Sequence, residues 1–294
     1  MAAIERHEEF PLVVIVGPTA SGKTNLAIEL ADEFGGEIIC ADSRTVYRGM
    51  DIGTAKPSLH DRQRVPHWGL DLVEPDKRFT AADFKEYADD KIENIRRRKK
   101  IPFLVGGTGL YVDGLLFDYQ FGPGSEHRLR DELEGMSLEE LHKYCSKYNI
   151  RLPNNSLNKR YIIRAIEQRG INDKREQRPK DNTIIVGIAT NSQVLRTRIA
   201  DRFEQILTNG VVEEAIVLGN RYGWESEAMT GNIYPLLRRY LENEITLEQV
   251  EDKFTTLDWR LAKRQLTWFR RNPYVLWLTL TEAREYLWSV LANE

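Results

Sequence analysis

Residues 17–24 read Gly-Pro-Thr-Ala-Ser-Gly-Lys-Thr, directly after the apolar run Leu12-Val-Val-Ile-Val16. A buried strand, a glycine-bearing turn and a helix over 23–34 follow in that order. The pattern Gly-x4-Gly-Lys-Thr in this setting is a phosphate loop. Its backbone N–H groups wrap a di- or triphosphate, Lys23 adds a point charge, and the Thr24 hydroxyl can ligate Mg²⁺. The expected diphosphate-binding residues are Gly17, Thr19, Ala20, Ser21, Gly22, Lys23 and Thr24, with Thr24 as the protein's metal ligand. The loop alone does not say whether the phosphate is transferred or expelled.

Outward from the loop, Glu37-Ile-Ile-Cys-Ala41, Ile101-Pro-Phe-Leu-Val105 and Thr183-Ile-Ile-Val-Gly-Ile-Ala189 read as further buried strands. A helix is expected from Thr80 to Lys99, with Phe84, Tyr87, Ile92 and Ile95 at helical spacing. Strands alternating with helices predict an α/β fold, a P-loop core whose parallel sheet is covered on both faces. Between 118 and 181 the chain changes character. Gly122-Pro-Gly124 interrupts it, and Leu/Tyr/Arg-rich helical patterns replace strands. We therefore expect residues 1–117 and 182–294 to form the core, with 118–181 an all-helical insertion. The C-terminal part reads as helical to about 271 and closes on Val275-Leu-Trp-Leu278.

Composition excludes several classes. Of 294 residues, 41% are hydrophobic and 30% charged, which describes a globular chain with ample core. No apolar run is long enough to span a bilayer, and Glu5, Glu8 and Glu9 do not suit a secretory or transit signal. Cys40 and Cys145 lack metal-site spacing, so a reduced, cytoplasmic protein is expected, working as a monomer. Net charge is only −3, but residues 159–180 and 253–271 each carry a local excess of +5. Two such stretches point to a polyanionic partner. The run Arg96-Arg-Arg-Lys-Lys100 is expected to complement a helix C-terminus.

The chemistry is narrowed by what accompanies the loop. No Asn-Lys-x-Asp guanine reader occurs, and the strand at 101–105 runs into Gly106-Gly-Thr-Gly109 rather than an acid. The second strand instead delivers Asp42 and Ser43 to the carboxyl edge, where parallel sheets place ligands. The long segment Asp42-Ser-Arg-Thr-Val-Tyr-Arg-Gly-Met-Asp-Ile-Gly-Thr-Ala-Lys-Pro57 is distinctive. So are Pro66-His67, Thr80-Ala-Ala-Asp-Phe84, Gly106-Gly-Thr108 and Ala262-Lys-Arg-Gln265 before Thr267-Trp-Phe-Arg270. Together with the phosphate loop these resemble the tRNA dimethylallyltransferase (tRNA isopentenyltransferase) family, over about residues 12–271.

That resemblance implies transfer of a dimethylallyl group from its diphosphate to N6 of adenosine 37 in the tRNA anticodon stem-loop, with pyrophosphate leaving. It implies Asp42 as base, Thr108 beside the bridging oxygen and Lys23 on the departing charge. Asp42, Ser43, Arg44, Thr45 and Thr108 would meet the acceptor. Arg130, Arg160 and Arg164 of the insertion, with Lys263, Arg264 and Gln265, would grip the anticodon arm. Thr45, Tyr161, Pro235 and Trp259 depart from the family's pattern, all on the tRNA side. The other readings are an adenylate isopentenyltransferase acting on AMP, ADP or ATP, which needs no anticodon clamp, and a small-molecule P-loop kinase. Asp51 is read as a loop organiser or a ligand contact. His67, Trp68, Trp268 and Phe269 are read as structural.

Overall fold

The computed structural model describes residues 10–122, 127–153, 155–168 and 174–293. The acidic N-terminal residues, the break at 123–124, and Arg169 and Asp173 of the first basic stretch lie outside the described residues. Among the described residues, six parallel strands form one sheet. They are β1 (Leu12–Val16), β2 (Glu37–Ala41), β3 (His67–Trp68), β4 (Pro102–Gly106), β5 (Thr183–Ile188) and β6 (Leu276–Leu278), in the order β3-β2-β4-β1-β5-β6. Every residue of β1, β2 and β4 is buried, as both-face coverage of a parallel sheet requires. The chain leaves β1 past β4 to reach β2, and later returns from β4 to β5 on the other side of β1. The loops after β1 and β4 therefore diverge at the point where ligands bind in such sheets.

The core beneath that point is a single cluster. Helix α1 (Lys23–Glu33) packs Leu26, Ala27, Leu30 and Ala31 between the sheet and the helix over Leu280–Leu291. Strand β6 forms within the expected closing run, and that last helix lies beyond it. Thr279 and Glu282 form a capping box, and Ala283, Leu287 and Leu291 seal the α1 side of the core. The expected helix from Thr80 begins at Ala81, because Thr80 is its cap and exchanges hydrogen bonds with Asp83. The region before it holds α2 (Leu59–Arg64) and β3, both too short to show periodicity.

The basic run after α3 (Ala81–Arg97) has a more specific task than complementing a dipole. Arg98 and Lys100 meet the buried carboxylate of Glu37 at the start of β2, and Trp68 Nε1–H donates to it at 2.8 Å. Burial alone would raise the Glu37 pKa, but hydrogen bonds from Arg98, Trp68 and Lys100 bring it down to about 2.

The described chain divides into two compact units, 10–112 with 181–293, and a second within 113–180. Helix α4 (Gly109–Leu116) runs across the boundary. In the smaller unit, α5 (His127–Gly135), α6 (Leu138–Lys147) and α7 (Lys159–Gln168) bury Leu133, Leu141, Cys145, Ile162, Ile163 and Ile166 together. In the larger unit, α8 (Ser192–Thr208), α9 (Val211–Tyr222), α10 (Tyr234–Leu241) and α11 (Leu247–Phe269) follow β5, and α12 is the helix over Leu280–Leu291. Helices α8 and α11 pack together, with Phe203 and Phe254 ring centroids 5.6 Å apart.

Gly106 ends β4 where the β2 backbone leaves no room for a side chain. A Cβ there would stand 2.1 Å from the Ala41 carbonyl oxygen, which also accepts the Thr108 N–H at 3.1 Å. Gly106→Ala must part β2 from β4, so we expect a loss of about 2–3 kcal/mol, read from the urea midpoint at unchanged m-value.

Candidate active site

The phosphate loop is held from outside as much as from within. Its backbone turns through left-handed conformations at Ala20 (φ 60°) and Gly22 (φ 91°), a geometry that gathers successive N–H groups into an anion-binding concavity. Thr19 N–H donates to Gln265 Oε1 at 2.7 Å, and Gln265 Nε2–H donates to the Gly107 carbonyl at 3.1 Å. Arg198 of α8 donates to the carbonyls of Ala20 (3.3 Å) and Ser21 (3.1 Å). One helical turn on, Arg202 donates to Thr19 Oγ1 at 2.5 Å.

Lys23 Nζ donates to the loop's own Pro18 carbonyl at 3.0 Å. Its pKa is pulled down from 10.5 to about 8, chiefly by burial; Asp42 offsets this in part and Arg202 reinforces it. Two buried polar atoms here, Ser21 Oγ and Arg202 Nε, have no hydrogen-bond partner among the described residues. An anion would satisfy such donors, and their cost if unmet is about 1–3 kcal/mol each.

Across the cleft, the carboxyl ends of β2 and β4 present Asp42, Ser43 and Thr108. Ser43 N–H donates to Thr108 Oγ1 at 3.0 Å, and Thr108 Oγ1–H points to Ser43 Oγ at 3.4 Å. Thr108 precedes α4, and its hydroxyl oxygen accepts across the strands from Ser43 N–H. Asp42 Oδ1 accepts the Arg44 N–H at 2.8 Å, a local turn that fixes the carboxylate. These groups share one cleft of about 870 Å³ with Lys23, Thr24, Arg202 and Gln265, and the volume suits a small ligand. Cys40 also lines it, its thiol pushed up to about 12, first by burial and then by Asp42.

The remaining expected residues fall in different places. Thr45 is buried, with its hydroxyl donating to the Asp42 carbonyl at 3.3 Å, so it supports the turn from beneath. Arg44 donates to the Glu227 carbonyl and to Thr230 Oγ1. Gln265, expected beside the RNA, has its amide engaged by the phosphate loop and the β4 loop, while Arg264 lines the cleft and Lys263 is exposed. Within the smaller unit, Arg130 and Arg164 both meet the buried Glu167 carboxylate, at 3.3 and 3.1 Å, and Arg160 is exposed.

Of the unusual positions, Trp259 carries the Arg196 guanidinium at 4.1 Å, Tyr161 is exposed, and Pro235 sits in the first turn of α10. Asp51 organises its loop by accepting from Lys56 Nζ at 2.8 Å. His67 Nδ1 shares a hydrogen bond with the Val65 carbonyl at 2.7 Å, and burial lowers its pKa.

Sequence reasoning missed Arg198 and Arg202. Their signal is an arginine pair one turn apart on the helix that follows a strand ending at the ligand edge. It also missed Asp258 as a partner of the site. This acid is buried in α11, accepts from Asn232 Nδ2 at 2.6 Å and lies 3.7 Å from Arg202. In the +5 stretch it therefore offsets no exposed charge.

The sequence matches the family described as IPP transferase over residues 45–272, and that described as isopentenyl transferase over residues 10–67. A tRNA dimethylallyltransferase of Desulforudis audaxviator is 40% identical, covering 95% of this chain and 97% of its own. One from Geobacter metallireducens is 39% identical over 94% of each. The solved tRNA isopentenylpyrophosphate transferase of Bacillus halodurans superposes with a TM-score of 0.73 at 34% identity, over 96% of this chain and 97% of its own.

The lowered Lys23 pKa has a measurable sign. At pH 8 about half the molecules hold a neutral amine, and a bound anion favours the ammonium. An alkyl diphosphate, already fully ionised at that pH, should bind with uptake of about half a proton, read by calorimetry in buffers of different ionisation heat. Affinity should weaken as pH rises above about 8, and Lys23→Gln should remove both effects.

Proposed function

From the chain's membership of the IPP transferase family, we propose that it transfers a dimethylallyl group from dimethylallyl diphosphate to N6 of adenosine 37 in tRNA. The single observation that carries this reading is the cleft itself. It opposes a diphosphate cradle at the β1 end to a carboxylate and two hydroxyls at the β2 and β4 ends. A kinase needs the same cradle, but the comparisons above pair it with prenyl transfer in the relatives' names.

In this reading the donor diphosphate lies in the phosphate loop, with its dimethylallyl C1 turned toward Asp42. The N6 lone pair of adenine forms a bond to C1. The C1–O bond breaks, and its electron pair leaves on pyrophosphate. The exocyclic amine is a poor nucleophile, so Asp42 takes its proton as the bond forms. Charge gathers on the departing oxygens, where Lys23, the loop N–H groups, Arg202 and the Thr108 hydroxyl are positioned to stabilise it.

Mg²⁺ fits the donor set. In a phosphate loop the Ser/Thr after the lysine ligates Mg²⁺ beside the phosphates, and Thr24 at the start of α1 lines the cleft. Among the described residues no cluster of acids, histidines or cysteines competes for it. Thr24 would hold the ion, which when bound neutralises diphosphate charge.

The RNA would be held by exposed cations on each unit separately, Arg160 on α7 and Lys263 and Arg264 on α11. Arg130 and Arg164 are fixed by Glu167, and Arg130 also by Glu134 at 3.0 Å, so this pair would add no net positive charge and would contact RNA by its N–H groups alone. Extruding the base costs a few kcal/mol, less in a loop than in a duplex, and phosphate contacts would offset that. Both cysteines are free and buried, and no helix among the described residues is long and apolar enough to cross a membrane. We take the enzyme to work as a monomer in the cytoplasm.

Labelled dimethylallyl diphosphate, offered an unmodified anticodon stem-loop and AMP in competition, should label the stem-loop alone. Label in AMP would assign the adenylate-type reaction instead. Asp42→Ala should lower the transfer rate by about 10²–10⁴-fold while donor affinity holds; an active variant would remove Asp42 as the base. Arg160→Glu and Lys263→Glu should each weaken RNA binding and flatten its salt dependence by about one unit of slope.

A further inference from the structure

The cleft wall formed by Gly53, Thr54 and Ala55 rests at Gly53 on Ile233 and Tyr234. A second cavity of about 660 Å³, lined by Gly49, Ile52, Glu214 and Leu218 among others, lies against the same turn. Beside the cavity the backbone of the turn is held by a carboxylate. Glu214 of α9 accepts the N–H of Asp51 and of Ile52 on Oε2, each at 2.7 Å. On Oε1 it accepts the N–H of Gly53 at 2.9 Å and the Tyr234 hydroxyl at 2.8 Å.

Four donors converge on one charged group, and hydrogen bonds to an ionised acceptor are roughly twice as strong as neutral ones. Tyr234 closes the latch sterically as well, since a Cβ on Gly53 would stand 2.6 Å from its hydroxyl oxygen. The loop's far end is set by the buried Lys56 ammonium, which donates to the Tyr47 carbonyl, Asp51 and Asp71.

We propose that Glu214 is a positioning residue for the transfer reaction, holding the 51–55 loop as the wall against which the acceptor is placed before Asp42 and Thr108. The inference rests on the prenyl-transfer reading for its substrate. It separates cleanly from the donor cradle, because the groups that grip the phosphate loop are Gln265, Arg198 and Arg202, and none comes from the 51–55 loop. Without the carboxylate, three backbone N–H groups lose their acceptor and the turn is free to sag into the cavity. Glu214→Gln keeps an acceptor oxygen for two of them and can donate its NH₂ to the Tyr234 oxygen, leaving only Gly53 N–H unmet. Tyr234→Phe removes one donor and keeps all three backbone bonds. A graded series follows.

The test compares wild type, Glu214→Gln, Glu214→Ala and Tyr234→Phe by hydrogen exchange of the 50–54 segment, by steady-state transfer to stem-loop RNA, and by donor binding. In Glu214→Ala the three amides should exchange at least about tenfold faster. Acceptor kcat/KM should fall by about 30-fold or more, while donor Kd and the number of donor sites per chain stay within about twofold. Glu214→Gln should fall between, and Tyr234→Phe should be mildest; these two carry the test if Glu214→Ala does not fold. Unchanged exchange, acceptor kcat/KM within about threefold of wild type, or donor sites lost in step with activity would each overturn the proposal. A wild-type enzyme that transfers to AMP instead is assayed with AMP. One that transfers to neither overturns the functional reading, while the exchange result still decides the latch.

Discussion

The side-chain amide of Gln265 lies between two backbones, accepting from Thr19 N–H on the phosphate loop and donating to the Gly107 carbonyl after β4. A neutral amide is suited to this bridge because it offers one acceptor and one donor at fixed separation. The carboxylate of Glu at this position would accept at one end and repel a carbonyl at the other. Through this bridge the cradle for the diphosphate and the hydroxyl of Thr108 are set in one frame. Arg198 and Arg202 then fix the outer side of the loop, and Asp258 braces Arg202 from the same helix that carries Gln265. Helix α11 thus acts on the site twice.

Electrostatics in this frame favour an anion at the loop. Lys23, Arg198 and Arg202 crowd the loop, and burial has already drawn down the Lys23 pKa. Asp42 is the nearby acid that tempers this. A bound diphosphate reverses the balance, turning mutual repulsion among cations into attraction to a common partner. The strained residue Ala20 (φ 60°) belongs to the same logic, since left-handed backbone in a non-glycine residue persists only where its surroundings determine it.

What could be read from sequence follows how local each feature is. The strand, turn and helix around 17–24 are contiguous, so their element types were legible, as were the buried strands and the positions of Asp42 and Thr108 at the strand ends. The site's second layer was not. Arg198 and Arg202 lie far along the chain from the loop they hold, and their one-turn spacing after a strand is their whole local signal. Gln265 was read with Lys263 and Arg264 as one RNA-facing group, but successive helical residues point about 100° apart, and its amide turns inward. Short elements, α2 and β3, gave no period to detect. Helix α12 did carry a signal in Thr279-x-x-Glu282, and the reading stopped short of it.

The bond between Thr19 and Gln265 spans 246 positions of sequence. A contact that distant is the last kind a chain can make during synthesis. The phosphate loop, written near the amino terminus, is translated long before the residue that completes its frame. Strands β1, β2 and β4 can pair early, but β5 must be added on the other side of β1, and α8 and α11 must dock, before Thr19 finds its acceptor. The nascent polypeptide therefore carries the phosphate loop without its outer supports through most of its elongation. A chain truncated before α11 lacks Gln265, and with it the bridge between Thr19 and Gly107.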